Sequence, residues 1–325
     1  MKHYKSFLLF FTVFISTFGY AQFTDVINSN RPGESQAAFS VGKKVLQAEF
    51  GAYGNIEKHD LLETKTYGLG SELTMRYGAF LEQLEFDLDI QYQKDIFSTE
   101  VIKRSDIRQT TFGVKYLFYD PAKNYKAKVN VYSWKKNRAF KWRTLRPAVG
   151  LYVGANLNLS KNQFSFPTEP SFSPKVVLIT QNQFQQHVLV INVIADKLMT
   201  DYPSYGYVVT LTRGFNERWS GFVENQAYVS DFYSDGIVRL GAAFLIKQNI
   251  QIDASLGTNF KYTPSILNAG VGLSWRFDKN YQEVKISKDK KGKGKKGKKE
   301  KGEKGKKEKG GDAPVKESKK RRDGV

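Results

Sequence analysis

Short stretches in which apolar and polar residues alternate recur along the chain, and this alternation constrains the fold more than any other feature. LEFDLDIQY shows it well, because one face carries Leu84, Phe86, Leu88, Ile90 and Tyr92 while the other carries Glu85, Asp87, Asp89 and Gln91. The pattern returns in ELTMRYG, TFGVKYLFY, NIQIDASLGTNF and NAGVGLSWRF. A period of two predicts β-strands with one apolar and one polar face.

The alternating segments predict strands at residues 43–54, 65–77, 80–93, 108–119, 146–160, 174–183, 187–197, 205–214, 219–230, 237–247, 250–260 and 268–277. Most are close to the ~9–11 residues that a tilted strand needs to cross a bilayer. An apolar outer face with a polar lumen is typical of transmembrane barrels. The sequence therefore predicts an all-β fold, an antiparallel transmembrane β-barrel of about 12 strands followed by a disordered basic tail.

Two points in this assignment stay open. The sixth and seventh strands are uncertain, because HVLVINVIADKL is apolar on both faces. A soluble secreted β-sandwich is the alternative fold, but so many two-faced strands without Cys or a second core disfavour it.

The predicted connections alternate in length, with short turns at 77–80, 184–186, 215–218 and 248–249. Short periplasmic turns and longer external loops are usual in such barrels, so an even strand number places both chain ends in the periplasm. Trp219 and Trp275 then fall near the periplasmic rim. The long basic segment 120–145 breaks the rule: it extends two strands, packs as a flap beneath the lumen, or indicates a miscounted hairpin.

The chain begins with Lys2 and Lys5, an apolar run from Phe7 to Phe18, and the small-x-small sequence Gly19-Tyr20-Ala21. This pattern predicts a signal peptide at 1–21. A periplasmic segment at 22–42, a barrel at 43–277 and a tail at 278–325 follow, in the outer membrane of a Gram-negative bacterium. The chain contains no Cys, so a lipoprotein anchor and disulfides are excluded.

Charged residues of both signs are expected to line the lumen. A structural ion-pair network is the favoured interpretation, because unpaired charge is costly beside a low-dielectric wall, and a selective polar pore is the other. The candidate lumen residues are Glu49, Glu72, Arg76, Glu85, Asp87, Asp89, Lys115, Arg146, Glu224, Arg239, Asp253 and Arg276.

Enzymatic function is not predicted. The mature chain contains only His59, in a loop, and His187, at the start of an uncertain strand, and no hydrolase, zinc or phosphate-loop motif is present. Asp87 and Asp89 lack a third ligand at a fixed spacing, so no metal is predicted. No cofactor is predicted either.

Several stretches give the chain a family resemblance. NRPGESQAAFSVGKKVLQAEFGAYG, RPAVGLYVGANL, YVVTLTRGFNERWSGFVENQAY and IQIDASLGTNF with GVGLSWRF resemble the outer-membrane transporters linked to phenol meta-pathway degradation. The resemblance covers roughly residues 28–277 and implies a channel for small hydrophobic or aromatic molecules. The long segment 120–145 departs from the family pattern. The residues after Phe277 are a second departure, since many such barrels end on an aromatic residue.

The last 41 residues, from Lys285 onward, carry 19 Lys or Arg against 7 Asp or Glu. Such a sequence cannot bury a core and is expected to be disordered. Because the mature protein leaves the cytoplasm, nucleic acid is not a predicted partner. Outer-membrane lipid is a predicted partner. Peptidoglycan or an acidic periplasmic protein could bind the tail through Lys288, Lys295, Lys299, Lys307 and Arg321. A non-conducting structural or interaction barrel is therefore the second function considered, and the oligomeric state stays open.

Overall fold

The protein folds into a closed antiparallel barrel of twelve strands. This computed structural model describes residues 27–98, 103–121, 123, 131–133, 145–158, 162–164, 170–184 and 186–278. The strands are β1 (Leu46–His59), β2 (Thr64–Gly78), β3 (Leu84–Ser98), β4 (Ser105–Tyr119), β5 (Ala148–Leu157), β6 (Phe172–Phe184), β7 (His187–Asp196), β8 (Ser204–Gly214), β9 (Trp219–Val229), β10 (Ser234–Lys247), β11 (Ile250–Asn259) and β12 (Ser265–Phe277). The all-β class and the number of strands predicted from the alternation are confirmed.

Each strand pairs with its neighbours in sequence, and β12 closes the barrel against β1, with Leu46 opposite Phe277 and Ala48 opposite Trp275. Closure leaves no free sheet edge, so the backbone groups of the wall find partners within the wall. Among the residues described, no helix is long and apolar enough to cross a membrane.

The outer face is apolar on every strand. Exposed large side chains include Phe50, Leu69, Tyr92, Phe112, Val153, Leu178, Val193, Leu211, Val223, Leu240, Leu256 and Val271. The indole of Trp219 packs 4.7 Å from the ring of Phe244, and that of Trp275 packs 4.1 Å from Phe277, all at the end of the barrel where β1 begins. A closed barrel with an apolar belt is the form in which strands cross an outer membrane.

Several strands are longer than predicted at the opposite end. β1 continues to His59 rather than residue 54, β3 continues to Ser98 rather than 93, and β4 begins at Ser105 rather than 108. Register shifts between Tyr67 and Gly68 and between Gln91 and Tyr92 interrupt the alternation near this end, whereas the backbone pairing continues beyond them.

Some predictions fall on residues that the structure does not describe. The signal peptide 1–21, most of the segment 120–145, and the tail beyond Asp278, with Lys288, Lys295, Lys299, Lys307 and Arg321, lie outside the described residues.

Candidate functional site

The chemistry of the lumen wall differs between its two halves. On β1–β4 and β9–β12 the buried side chains are mainly charged or polar, and the charged ones include Glu49, Arg76, Glu85, Asp87, Lys115, Glu224, Asp253 and Arg276. On β5–β8 buried apolar side chains (Tyr152, Val177, Ile179, Val190 and Val208) are mixed with polar ones (Asn156, Gln181, Asn192 and Thr210). A passage lined by both polar and apolar groups can contact both parts of an amphipathic solute.

An ion-pair network occupies the charged side. The Arg76 Nε lies 2.8 Å from Glu85 Oε1, and Arg76 Nη1 lies 3.1 Å from Glu49 Oε1. Lys115 Nζ lies 2.8 Å from the same Glu85 oxygen, and all four side chains are fully buried. Asp87 Oδ1 is 3.9 Å from Arg76 Nε, so a single guanidinium stands among three carboxylates.

Residues 27–45, hereafter the plug, lie inside the barrel. The sequence predicts a periplasmic segment at 22–42; the part of it that the structure describes, from Ile27 onward, contacts side chains of the barrel wall. Both ends of the plug are held by backbone hydrogen bonds, since Ile27 N–H donates to Gln248 O at 2.8 Å and Lys44 N–H donates to Gly78 O at 2.7 Å.

Between these ends, side chains of the wall accept hydrogen bonds from the plug backbone. Glu34 N–H donates to Glu224 Oε2 at 3.0 Å, and Gln36 N–H donates to Asn192 Oδ1 at 2.6 Å. In the same way, Ala38 N–H donates to Gln181 Oε1 at 2.9 Å and Val41 N–H to Glu85 Oε2 at 2.6 Å. The acceptors belong to β9, β7, β6 and β3, so the plug reaches widely separated parts of the wall.

Arg31 anchors the plug electrostatically. Its guanidinium pairs with Glu72 on β2 and with Asp253 on β11, where Nη2 lies 3.2 Å from Oδ1. The guanidinium lies against Gly51 and Gly272, and a Cβ at either position would overlap it. These two glycines therefore make the space that the Arg31 side chain fills.

An apolar contact fixes the middle of the plug. Ala38 is fully buried with Leu117, Ala148, Tyr152, Val177 and Ile179, and Phe39 and Ile194 pack against this cluster. The contact explains why β7 is apolar on both faces: Val193 faces outward, whereas Ile194 faces the cluster around Ala38. The seventh strand, uncertain from sequence, is a wall strand that lines an apolar part of the lumen.

At the rim of the barrel, the plug meets the turn between β2 and β3. The Ser40 hydroxyl donates to the Glu82 backbone oxygen. Burial raises the pKa of the Glu82 carboxyl above its ordinary value, and the positive charges of Lys43 and Lys123 partly offset that rise. The carboxyl thus lies in a less polar environment than an open turn provides.

Eight of the twelve candidate lumen residues are buried, namely Glu49, Arg76, Glu85, Asp87, Lys115, Glu224, Asp253 and Arg276. Glu72 pairs with the plug, Asp89 accepts a hydrogen bond from Thr74 at 2.6 Å, and Arg239 pairs with Glu224 and with Glu34 of the plug. Arg146 precedes β5 and is exposed. Within the described part of the chain, no three His, Asp or Glu side chains come together in a set that could hold a metal.

Sequence reasoning missed Arg31 as a lumen residue. The signal that could have identified it is the NRPGE sequence just ahead of the first strand. An arginine at this position can pair with carboxylates inside the barrel, as Arg31 does with Asp253.

Solved structures share this architecture at low sequence identity. The COG4313 outer membrane channel from Pseudomonas putida F1 is 11% identical, with a TM-score of 0.50 over 77% of this chain and 100% of that one. The NanC porin is 8% identical, with a TM-score of 0.45 over 70% of this chain and 98% of that one. No curated protein matches the chain.

A family assignment comes from the sequence comparison. The model of the family described as "Putative MetA-pathway of phenol degradation" matches residues 29–277, which include the whole barrel and all but the first two residues of the plug. The chain belongs to this family.

Proposed function

We propose that the protein is an outer-membrane channel for small solutes, including hydrophobic and aromatic molecules, and that the plug closes it in the state described. Both chain ends would then face the periplasm, on the side of the short hairpins. The family description, with its reference to phenol degradation, supports this class of solute. The amphipathic lumen wall supports it as well, because aromatic solutes need apolar contact and their polar groups need partners.

The main support for this proposal is the set of hydrogen bonds that hold the plug. Across its middle, the plug forms no strand pairing with the wall; its N–H groups donate to side-chain oxygens of Glu224, Asn192, Gln181 and Glu85. Water can replace these backbone donors, because a typical hydrogen bond contributes only ~0.5–1.5 kcal/mol net and one to a charged group such as the Glu224 or Glu85 carboxylate ~1.5–3 kcal/mol. The plug can therefore leave the lumen while the barrel remains intact.

A disulfide between plug and wall tests this directly. A Cβ at Gly150 on β5 would lie 3.8 Å from the Ala38 Cα, so the two Cα atoms are closer than the ~6.8 Å upper limit for a disulfide. The chain has no native Cys to interfere. We expect the oxidised Ala38→Cys/Gly150→Cys protein to lose solute flux in liposome-swelling assays with small aromatic alcohols, and reduction to restore it.

Each single-cysteine variant is the matched control and should keep its flux under both conditions. Equal flux through the oxidised and reduced double variant would show that solutes pass without movement of the plug. No flux through wild-type protein that shows heat-modifiable gel migration would instead favour a closed scaffold.

The basic tail favours a second role, attachment to an acidic component of the periplasm. Its 19 cationic residues would bind peptidoglycan carboxylates or an acidic protein. We expect deletion of residues 286–325 to leave heat-modifiable migration unchanged and to weaken cosedimentation with cell-wall sacculi at low salt. A tail of the same length with Lys replaced by Gln is the control for length, and undiminished cosedimentation of the truncated barrel would exclude this role.

A further inference from the structure

Arg108 enters the lumen because of a β-bulge. Between β3 and β4, Gln91 pairs with Gln109 and Tyr92 pairs with Ile107, so Arg108 is an extra residue in β4. A bulge redirects side chains that regular alternation would otherwise place. Ile107 is exposed on the outer face, whereas the Arg108 guanidinium donates from Nη1 to the lumen side chain Gln93, whose Oε1 lies 3.2 Å away.

The electrostatic surroundings of Arg108 differ from those of the other lumen arginines. Arg31, Arg76, Arg104, Arg239 and Arg276 each lie within ion-pair distance of a carboxylate. Among the described residues, Arg108 has no carboxylate at that distance, and its partners are neutral. It is exposed to the lumen near the start of β4, whereas the plug contacts of that strand, at Lys115 and Leu117, lie near its end.

A second donor lies at the same place. The Tyr53 hydroxyl, on β1, donates to Gln93 Oε1 at 3.5 Å, so it shares an acceptor with Arg108.

Gly70 gives the Tyr53 ring room, because a Cβ at that position would overlap the ring. The Arg108 guanidinium and the Tyr53 hydroxyl are thus two donors whose shared acceptor, the Gln93 side chain, is neutral.

We propose that Arg108 and Tyr53 form a binding site for a small aromatic carboxylate on the side of the plug away from the short hairpins. The guanidinium binds the carboxylate through two parallel N–H donors, Tyr53 adds a third donor, and the Tyr53 ring contacts the aromatic part of the solute. This site rests on the proposed channel function for its biological meaning, because it lies on the route that a solute would take before it reaches the plug.

The test measures binding rather than flux, so it does not depend on whether the channel opens. Radiolabelled benzoate is the probe, and equilibrium dialysis against the purified full-length barrel in detergent gives its dissociation constant. Loss of charge-assisted hydrogen bonds predicts that Arg108→Gln weakens benzoate binding by roughly tenfold to a hundredfold. Arg213→Gln is the matched control, because Arg213 faces outward near the opposite end of the barrel, with its guanidinium over the Phe215 ring, and it should bind benzoate as the wild type does.

The relative affinities for benzoate, acetate and benzyl alcohol decide whether this binding site exists. Benzoate bound more tightly than both acetate and benzyl alcohol, with Tyr53→Phe causing a smaller loss than Arg108→Gln, would support the site. Benzoate binding that is unchanged in Arg108→Gln would overturn it, as would equal affinity for acetate and benzoate. If only the channel proposal is wrong, benzoate still binds to the barrel, but liposomes that contain the wild-type barrel do not swell.

Discussion

Replacing Arg76 by Met should destabilise the folded barrel by about 3–5 kcal/mol, because it leaves buried carboxylates without their cation. Arg76 is fully buried, pairs with Glu85 at 2.8 Å and Glu49 at 3.1 Å, and lies near Asp87. The Met side chain fills much of the same space, so the loss is electrostatic rather than a cavity. The midpoint of urea unfolding, followed by heat-modifiable gel migration in lipid, measures the change.

Two variants give this prediction its controls. Arg213→Met removes an outward-facing arginine and should change the free energy of unfolding by no more than about 0.5 kcal/mol. Arg76→Met/Glu85→Gln removes one carboxylate charge together with the cation and should recover part of the loss, with Lys115 then left beside a neutral amide. A loss below about 1 kcal/mol in the single variant would mean that water in the lumen solvates these carboxylates, since exposed pairs contribute no more than that.

The barrel could be predicted from sequence because strand pairing follows a local signal. Alternation in stretches such as Leu84–Tyr92 fixes which side chains face lipid and which face the lumen, and the lumen positions of Arg76, Glu85 and Glu224 follow from the same parity. β7 could not be resolved by parity, because its inward residue Ile194 packs against the plug contact of Ala38. Its apolar inner face depends on a segment about 150 residues away in sequence.

The plug itself has no such signal. Its backbone N–H groups donate to the side chains of Glu224, Asn192, Gln181 and Glu85. Only the closed barrel brings these four side chains around the plug. The inward position of Arg108 is hidden for a related reason: strict alternation does not reveal where an extra residue is inserted, and the bulge is visible only once β3 and β4 are paired.

Replacing Arg31 by Ala should open the channel. The side chain pairs with Glu72 and Asp253 from opposite sides of the β1–β12 closure, and truncating one partner of a buried charge pair typically costs about 2–5 kcal/mol. That cost corresponds to a roughly thirtyfold to several thousandfold rise in the ratio of open to closed plug, since each 1.4 kcal/mol is about tenfold. Once the plug leaves, water can solvate Glu72 and Asp253, so the barrel itself should keep most of its stability.

Single-channel recording in planar bilayers measures the result as the fraction of time open. Arg213→Ala is the control for the loss of one positive charge and should behave as the wild type does. The decisive variant combines Arg31→Ala with the oxidised Ala38→Cys/Gly150→Cys disulfide, which should close the channel again, and reduction should reopen it. If the Arg31→Ala channel stays as closed as the wild type, the apolar contact at Ala38 holds the plug and the ion pairs of Arg31 do not. If the Arg31→Ala channel opens but the disulfide fails to close it, the current does not pass through the space that the plug fills.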